Sequence, residues 1–276
     1  MTKKSVISLI SYDAHYLPKS IERYYEYVDE IVLGLDKDRI SWSGNAFSFD
    51  ENKLWSELQR IDGDNKISVI EDNFHESTVA IDNDTNERNF LKKECSHDWV
   101  LSIDADEYLL NAKEFFYNFC PLVEPYRKKV DVCMVWATPF KIIEDKVLVI
   151  ANEDDTPFFG ENQGVLTDKQ NTYTYCRWTD LSATGHNRIV SPLVTLHWSL
   201  CRPRKDLEQK LNNHGHSDVY KKNPFLANWD SITLDNYKQY KNFKTNGLGP
   251  AQWPKLLEIP LAEIENYYKA YLAGAY

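Results

Sequence analysis

The chain has 276 residues, is 42% hydrophobic and carries a formal charge of −10. That length and apolar content suffice for a full buried core, whereas the acidity argues against nucleic-acid binding and gives no electrostatic reason to lie on an anionic membrane. Cys95, Cys120, Cys133, Cys176 and Cys201 are scattered and never form a Cys-x-x-Cys pair, so neither a zinc site nor a disulfide framework is indicated and a reducing, cytoplasmic compartment fits. No run approaches the roughly 18 apolar residues of a membrane span. The segment from Met1 to Ile10 is too polar and short for a signal peptide and reads as a first strand.

In the first half, short apolar runs alternate with helical patterns. Val6 to Ile10, Ile31 to Leu35, Ile67 to Ile70 and Trp99 to Ile103 are rich in β-branched residues and read as strands. Pro18 suits a first helical turn, followed by Ile21, Tyr24, Tyr25 and Val28 at the spacing of one helix face. Asp50 is an expected N-cap for a helix carrying Leu54, Leu58 and Ile61, and a third helix is expected over Thr85 to Glu94. Such alternation predicts an α/β fold with a mostly parallel central sheet flanked by helices, whose ligands bind beyond the carboxyl ends of the strands.

The four expected strands end in Ser11-Tyr12-Asp13, Asp36-Lys37-Asp38, Glu71-Asp72-Asn73 and Asp104-Ala105-Asp106. Acidic and hydroxyl groups therefore gather along one edge. Residues two apart in an extended strand share a face, so the Asp104 and Asp106 carboxylates should emerge side by side. Two hard oxygen ligands so placed suit Mg²⁺ or Mn²⁺, and such an ion can hold a diphosphate. The chain has no Gly-x-Gly-x-x-Gly after its first strand and no Walker-type phosphate loop.

Taken in order and spacing, Val6–Tyr12, Glu30–Asp36, the helical Arg88-Asn89 and Asp98–Glu107 resemble the successive signatures of nucleotide-sugar glycosyltransferases of the GT-A fold, nearest to glycosyltransferase family two. The resemblance covers residues 5 to 110. It implies a catalytic domain over 1–200, with a nucleotide-binding half over 1–110 and an acceptor half over 111–200, and a helical extension over 201–276. It implies that Ser11 and Tyr12 meet the nucleoside, that Asp36 bonds the base or ribose, and that Arg88 lies near the diphosphate or orders the Asp-x-Asp loop. Asp104 would reach the ribose or donor sugar and share the metal, with Asp106 as its main carboxylate. The implied donor is a nucleotide-diphosphate sugar, UDP-sugar first, and the implied acceptor a hydroxyl of a glycan, lipid-linked or protein substrate, transferred with inversion.

Beyond the Asp-x-Asp, Ala112, Phe115, Phe116 and Phe119 form a helix face, and Val130, Val132, Met134 and Trp136 alternate as a strand. From Ala151 to His186 the pattern dissolves into a polar stretch, expected to be a long functional loop. It holds the candidate general bases, Asp180 first, then Asp154 and Asp155, with His186 facing the acceptor by resemblance. His197 ends the run Leu193–Ser199, and the resemblance implies that it completes the metal shell, which would favour manganese. Arg202 and Arg204 would add positive charge beside the diphosphate. Leu207 and Leu211 suggest one late helix, and Leu261, Ile264, Tyr268, Tyr271 and Leu272 another.

Other classes were weighed on the same residues. In a haloacid-dehalogenase-type phosphatase the first Asp of Asp-x-Asp is a nucleophile near the N-terminus with Thr or Val two places beyond the motif, where this chain has Tyr108 after three earlier strands. A nucleotidyltransferase would carry a glycine-rich basic loop after its first strand, which is absent. The alternatives are a protein that binds a nucleotide or nucleotide sugar without transferring it, or a metal-dependent phosphoryl-transfer enzyme.

Overall fold

The protein was analysed as a computed structural model. It describes residues 2–159, 162–181, 185, 187–220, 225–241 and 253–273. The chain forms two compact units, one of residues 1–135, 162–195 and 213–215, the other of 136–161, 196–212 and 216–276.

The first unit begins with the expected alternation. β1 (Lys4–Ile10), β2 (Glu30–Asp36), β3 (Ile67–Asp72) and β4 (Trp99–Ser102) pair in parallel in the order β3-β2-β1-β4. This is one half of a doubly wound sheet, with β1 between β2 and β4. β1 is buried along its whole length, because parallel neighbours flank it on both edges. The register pairs Ile10 with Leu35 and Asp36 with Asp72, so the acidic termini of these strands do share one edge of the sheet.

Three helices connect these strands. α1 (Leu17–Glu22) starts with Pro18 in its first turn, where the missing N–H is harmless. It ends earlier than its apolar spacing suggested, because Arg23 N–H bonds Ser20 at 3.0 Å and tightens the turn. Ile21, Tyr24 and Val28 are nonetheless buried. α2 (Glu51–Ile61) is capped as expected, the Asp50 carboxylate accepting Lys53 N–H at 3.0 Å. α3 (Ala80–Glu94) begins five residues before the expected start and buries Asn83, Asp84, Glu87, Arg88 and Lys92. Its inner face is polar, which a search for apolar periodicity does not find.

β5 (Glu107–Leu109), β6 (Val130–Ala137), β9 (Asn162–Asp168) and β12 (Asn187–His197) complete a sheet ordered β3-β2-β1-β4-β9-β6-β12-β5 among the described residues. β9 runs antiparallel to both β4 and β6. The sheet is thus parallel across its first four strands and mixed beyond them. Between β5 and β6, α4 (Ala112–Glu114) passes through a π turn at Phe115–Phe119 into α5 (Cys120–Val123). Pro121 has no N–H for the Tyr117 carbonyl, and Cys120 N–H reaches back five residues to Phe115.

The stretch from Ala151 to His186 is not the long loop expected. It contains β9 at the middle of the sheet and a hairpin of β10 (Tyr173–Tyr175) and β11 (Trp178–Thr179). Only Val165 and Leu166 give β9 an apolar signature; of its polar residues, Thr167 and Asp168 are buried and bonded inside the fold. Thr167 Oγ1, for example, donates to Asp131 at 2.5 Å. A Cβ on Gly164 would stand 2.6 Å from the Arg177 carbonyl oxygen. Gly164→Ala should therefore lower unfolding free energy by about 1–3 kcal/mol through backbone displacement, and an unchanged urea midpoint would refute that close approach.

The second unit has its own three-stranded antiparallel sheet, β13-β8-β7, built from β7 (Pro139–Ile143), β8 (Lys146–Ala151) and β13 (Lys255–Pro260). Glu144, at φ 55°, turns the two-residue link between β7 and β8. Phe140, Leu148, Ile150 and Leu256 from these strands pack with Leu207, Phe225 and Trp229 in one core. The helices Arg204–Asn213 and Ile264–Ala273 match the late helices expected, with Leu207, Leu211, Ile264 and Tyr268 buried; the side chains of Tyr271 and Leu272 lie outside the described set. The division into units does not follow the expected boundary at residue 200. β13 pairs with β8, so the C-terminal segment shares its sheet with residues 139–151 and is not purely helical. Among the described residues no helix is long and apolar enough to cross a membrane.

Candidate functional site

The turn between β4 and β5 is braced by side chains from several elements. Asp104 N–H donates to Glu107 Oε2 at 2.9 Å, and Glu107 N–H returns to the Asp104 carbonyl at 3.1 Å. Ser20 Oγ, from α1, donates to the Glu107 carbonyl at 2.7 Å and lies 3.3 Å from that of Asp104. Ile103 N–H bonds Ile7 at 3.1 Å and carries the β1 pairing into the turn. Both aspartates are therefore presented on a fixed backbone.

Two buried arginines grip this turn. Arg88, 1% exposed, bonds Asp84 at 2.5 Å, Ser102 Oγ at 2.7 Å and Asp104 at 2.8 Å. Arg88 thereby ties α3 to the turn that carries Asp104. Arg177, from the β10–β11 hairpin, forms a bidentate pair with Glu107 at 2.7 and 2.9 Å, donates to the Ser102 carbonyl at 2.8 Å and lies 3.7 Å from Asp104. Such forked pairing fixes orientation as well as charge. Burial pushes the Asp104 carboxyl upward, but the charges of Arg88 and Arg177 outweigh it and hold the group below its usual value. Burial pushes Glu107 up, against the opposing charge of Arg177.

The other strand-end residues play distinct parts. Asp36 uses Oδ1 on the N–H groups of Asp38 and Ile40, at 3.0 and 2.9 Å, and Oδ2 on Phe74 N–H at 2.9 Å. It is buried and shapes the loops after β2 and β3. Ser11 and Tyr12 stand half-buried just beyond β1. Asp106 is 2% exposed, whereas the Asp104 side chain is 28% exposed.

Trp42, in the loop after β2, places its ring 5.8 Å from the Arg88 guanidinium and donates Nε1–H to Glu87 at 2.7 Å. Burial pushes Glu87 up to about 8, against that hydrogen bond and the Arg88 charge. A carboxyl whose folded pKa lies above its unfolded one binds an extra proton in the native state, so its contribution is full below about pH 4.5 and is lost as pH rises through about 8. Glu87→Gln, which keeps the acceptor for Trp42, should leave stability at pH 5 nearly unchanged and raise it at pH 9. The fall of stability with pH should flatten by at most about 1.4 kcal/mol per pH unit; parallel wild-type and variant profiles in urea would contradict the shift.

The remaining candidates divide between the units. Asp180 follows β11 and is exposed in the first unit. Asp154 and Asp155 are exposed in the second. Asp154 accepts from Thr156 Oγ1 at 2.7 Å and Thr156 N–H at 3.2 Å, and these bonds lower its pKa, a poor setting for a base. Asp155, at φ 66°, pairs with Lys255 at 2.5 Å. His197 is buried in the second unit with its ring 4.2 Å from that of Trp136. Arg202 is buried there and donates Nε–H to the Trp198 carbonyl at 2.7 Å, and Arg204 pairs with Asp230 at 2.7 Å. His186 lies outside the described residues.

Among the described residues no group of three or more His, Cys, Asp or Glu side chains forms a cation cage. Mg²⁺ needs none, since it is commonly held by one or two carboxylates together with substrate phosphates and water. Asp104 and Asp106 supply two carboxylates on one braced turn, Asp104 bonded to Arg88. Sequence reasoning missed Arg177, because it falls in the stretch read as loop, and Ser20, because it lies on the first helix. Glu107 stood in plain sight beside the motif, but its role depends on Arg177.

The sequence matches no protein-family model and no curated protein sequence. Among solved structures, residues 1–349 of TarS from S. aureus share 12% identity with this chain at a TM-score of 0.41, covering 86% of this chain and 77% of that one. The same TarS segment in complex with UDP-GlcNAc gives 12% identity and a TM-score of 0.40, with 86% and 78% covered. HddC from Yersinia pseudotuberculosis, complexed with GMP-PN, shares 13% identity at a TM-score of 0.35, with 76% and 99% covered. Likeness at this level says nothing about chemistry. The chain's own topology shows a mixed α/β protein whose sheet, parallel in its first half, is flanked by helices and carries an acidic edge.

Proposed function

We propose that the protein is a metal-assisted glycosyltransferase, moving a sugar from a nucleotide-diphosphate donor, UDP-sugar first, to a hydroxyl of a glycan, lipid-linked or protein acceptor. The observation that carries this reading is the Asp104–Asp106 turn. It lies at the carboxyl edge of four parallel strands and is held by Ser20, Arg88, Glu107 and Arg177. A ligand cleft belongs at that edge, and bracing of this kind is what a preorganised electrostatic site requires.

Asp106 would hold Mg²⁺ or Mn²⁺, with Asp104 beside it under the restraint of Arg88. The bound ion would act as a Lewis acid for the negative charge that develops on the departing diphosphate. Ser11 and Tyr12, beyond β1, supply a hydroxyl and an aromatic face for the nucleoside, while Asp36 fixes the loops around it. Asp180 is the proposed general base that takes the acceptor hydroxyl proton, since it is exposed and belongs to the same unit as the Asp104–Asp106 turn. Inversion follows if base and leaving group lie on opposite sides of the sugar.

The test is thermal stabilisation and slow donor hydrolysis across UDP-, GDP- and dTDP-sugars, each with Mn²⁺, Mg²⁺ or EDTA. A metal-dependent response to one nucleotide sugar is expected. No response to any nucleotide would overturn the transferase reading in favour of a phosphatase or an unrelated binder.

A further inference from the structure

The β10–β11 hairpin has two faces of different character. Its inner groups are bonded into the first unit: Tyr173 exchanges backbone bonds with the Asn89 amide at 2.9 and 2.9 Å, and Cys176 N–H donates to Thr85 Oγ1 at 2.8 Å. Arg177 enters the Asp104 turn, and the Thr179 hydroxyl donates to the buried Asp131 carboxylate. The outer face differs. Tyr175 and Trp178 are directly opposite in the register, so their side chains stand on the same side of the hairpin. Tyr175 is 42% exposed, and Arg188 of β12 lays its guanidinium 4.1 Å from the Trp178 ring centre. Asp180 follows two residues after Trp178 and is exposed.

We propose that this outer face is a carbohydrate-binding platform formed by Tyr175, Trp178, Arg188 and Asp180. A sugar ring presents apolar C–H faces and hydroxyls that both donate and accept. The exposed Tyr175 ring and the half-buried Trp178 ring suit the former, and the Arg188 guanidinium and the Asp180 carboxylate suit the latter. The cation–π contact with the indole restrains Arg188, which reduces the entropy lost when it engages a ligand. The chain's charge of −10 disfavours a nucleic acid on the same rings. The mount is rigid and is continuous with the candidate site, because Arg177, which reaches Asp104, is the residue before Trp178. The identification of the bound chain as the acceptor rests on the transferase reading; the binding of carbohydrate does not.

Titration calorimetry of the full-length protein against soluble cellohexaose, chitohexaose and a hyaluronan octasaccharide tests the platform directly. Wild type should bind at least one of them, and Trp178→Ala and Arg188→Ala should each weaken that binding about tenfold, the equivalent of about 1.4 kcal/mol. Arg188→Lys should recover only part of the loss, since it restores charge without the planar stack. If Trp178→Ala lowers the melting temperature, Tyr175→Ala supplies the same test from an exposed ring. No binding to any of the three probes, or binding that survives these substitutions, overturns the platform. Nucleotide-induced thermal stabilisation, measured in parallel, separates the two readings: its absence in wild type sinks the transferase while leaving the carbohydrate result to stand by itself.

Discussion

Arg177→Ala is expected to lower unfolding free energy by about 3–5 kcal/mol, the range for removing one partner of a buried ion pair. Glu107, 0% exposed, would keep its position in the turn through the Asp104 N–H bond but lose both guanidinium bonds. The Ser102 carbonyl would lose its donor as well. The loss should shrink as pH falls toward the carboxylate range, because a protonated Glu107 no longer carries an unpaired buried charge. Replacing both partners together, as Arg177→Met with Glu107→Leu, should recover part of the stability, since no unpaired buried charge remains, while the Asp104 N–H and the Ser102 carbonyl stay without these partners. Urea unfolding of the single and double variants checks this. A single variant within about 1 kcal/mol of wild type would mean that the pair is not the clamp described.

Asp106→Ala should cut metal-dependent hydrolysis of the responsive nucleotide sugar by about 10²-fold or more, the scale of losing a main electrostatic contribution to a charged transition state. The same variant should lose the stabilisation that metal and nucleotide give together, read against its own melting temperature without ligand, since Asp106 is buried. Asp106→Asn, nearly equal in size, separates charge from packing and should behave like the alanine variant. Retention of full metal dependence in both would remove Asp106 from the metal site and leave the turn with a structural role only.

The parallel half of the sheet was legible in the sequence because its signals are local. The strands from β1 to β4 are short β-branched runs, Pro18 and Asp50 mark helix starts by rules that need only neighbouring residues, and the acidic strand ends follow from the parallel order. The same locality explains what failed. α3 buries a polar face whose partners are Trp42, Ser102 and Asp104, residues 14 to 45 positions away. β9 reads as loop because its buried polar side chains are satisfied far along the chain, Thr167 by Asp131 and Asp168 by Arg127, and its glycine is demanded by the Arg177 backbone. Those partners are invisible until the chain has folded.

The candidate site divides along the same line. By itself the sequence determined that two aspartates end a strand at the carboxyl edge of a parallel sheet, since a strand period of two and a right-handed alternation suffice for that. Only the tertiary structure decided what holds them. Arg177 lies 70 residues beyond Glu107, Ser20 lies 87 residues before it, and Arg88 meets Asp104 across the helix–sheet interface. A buried charge must find its counter-charge wherever the fold brings one, and no spacing rule in the sequence carries that information.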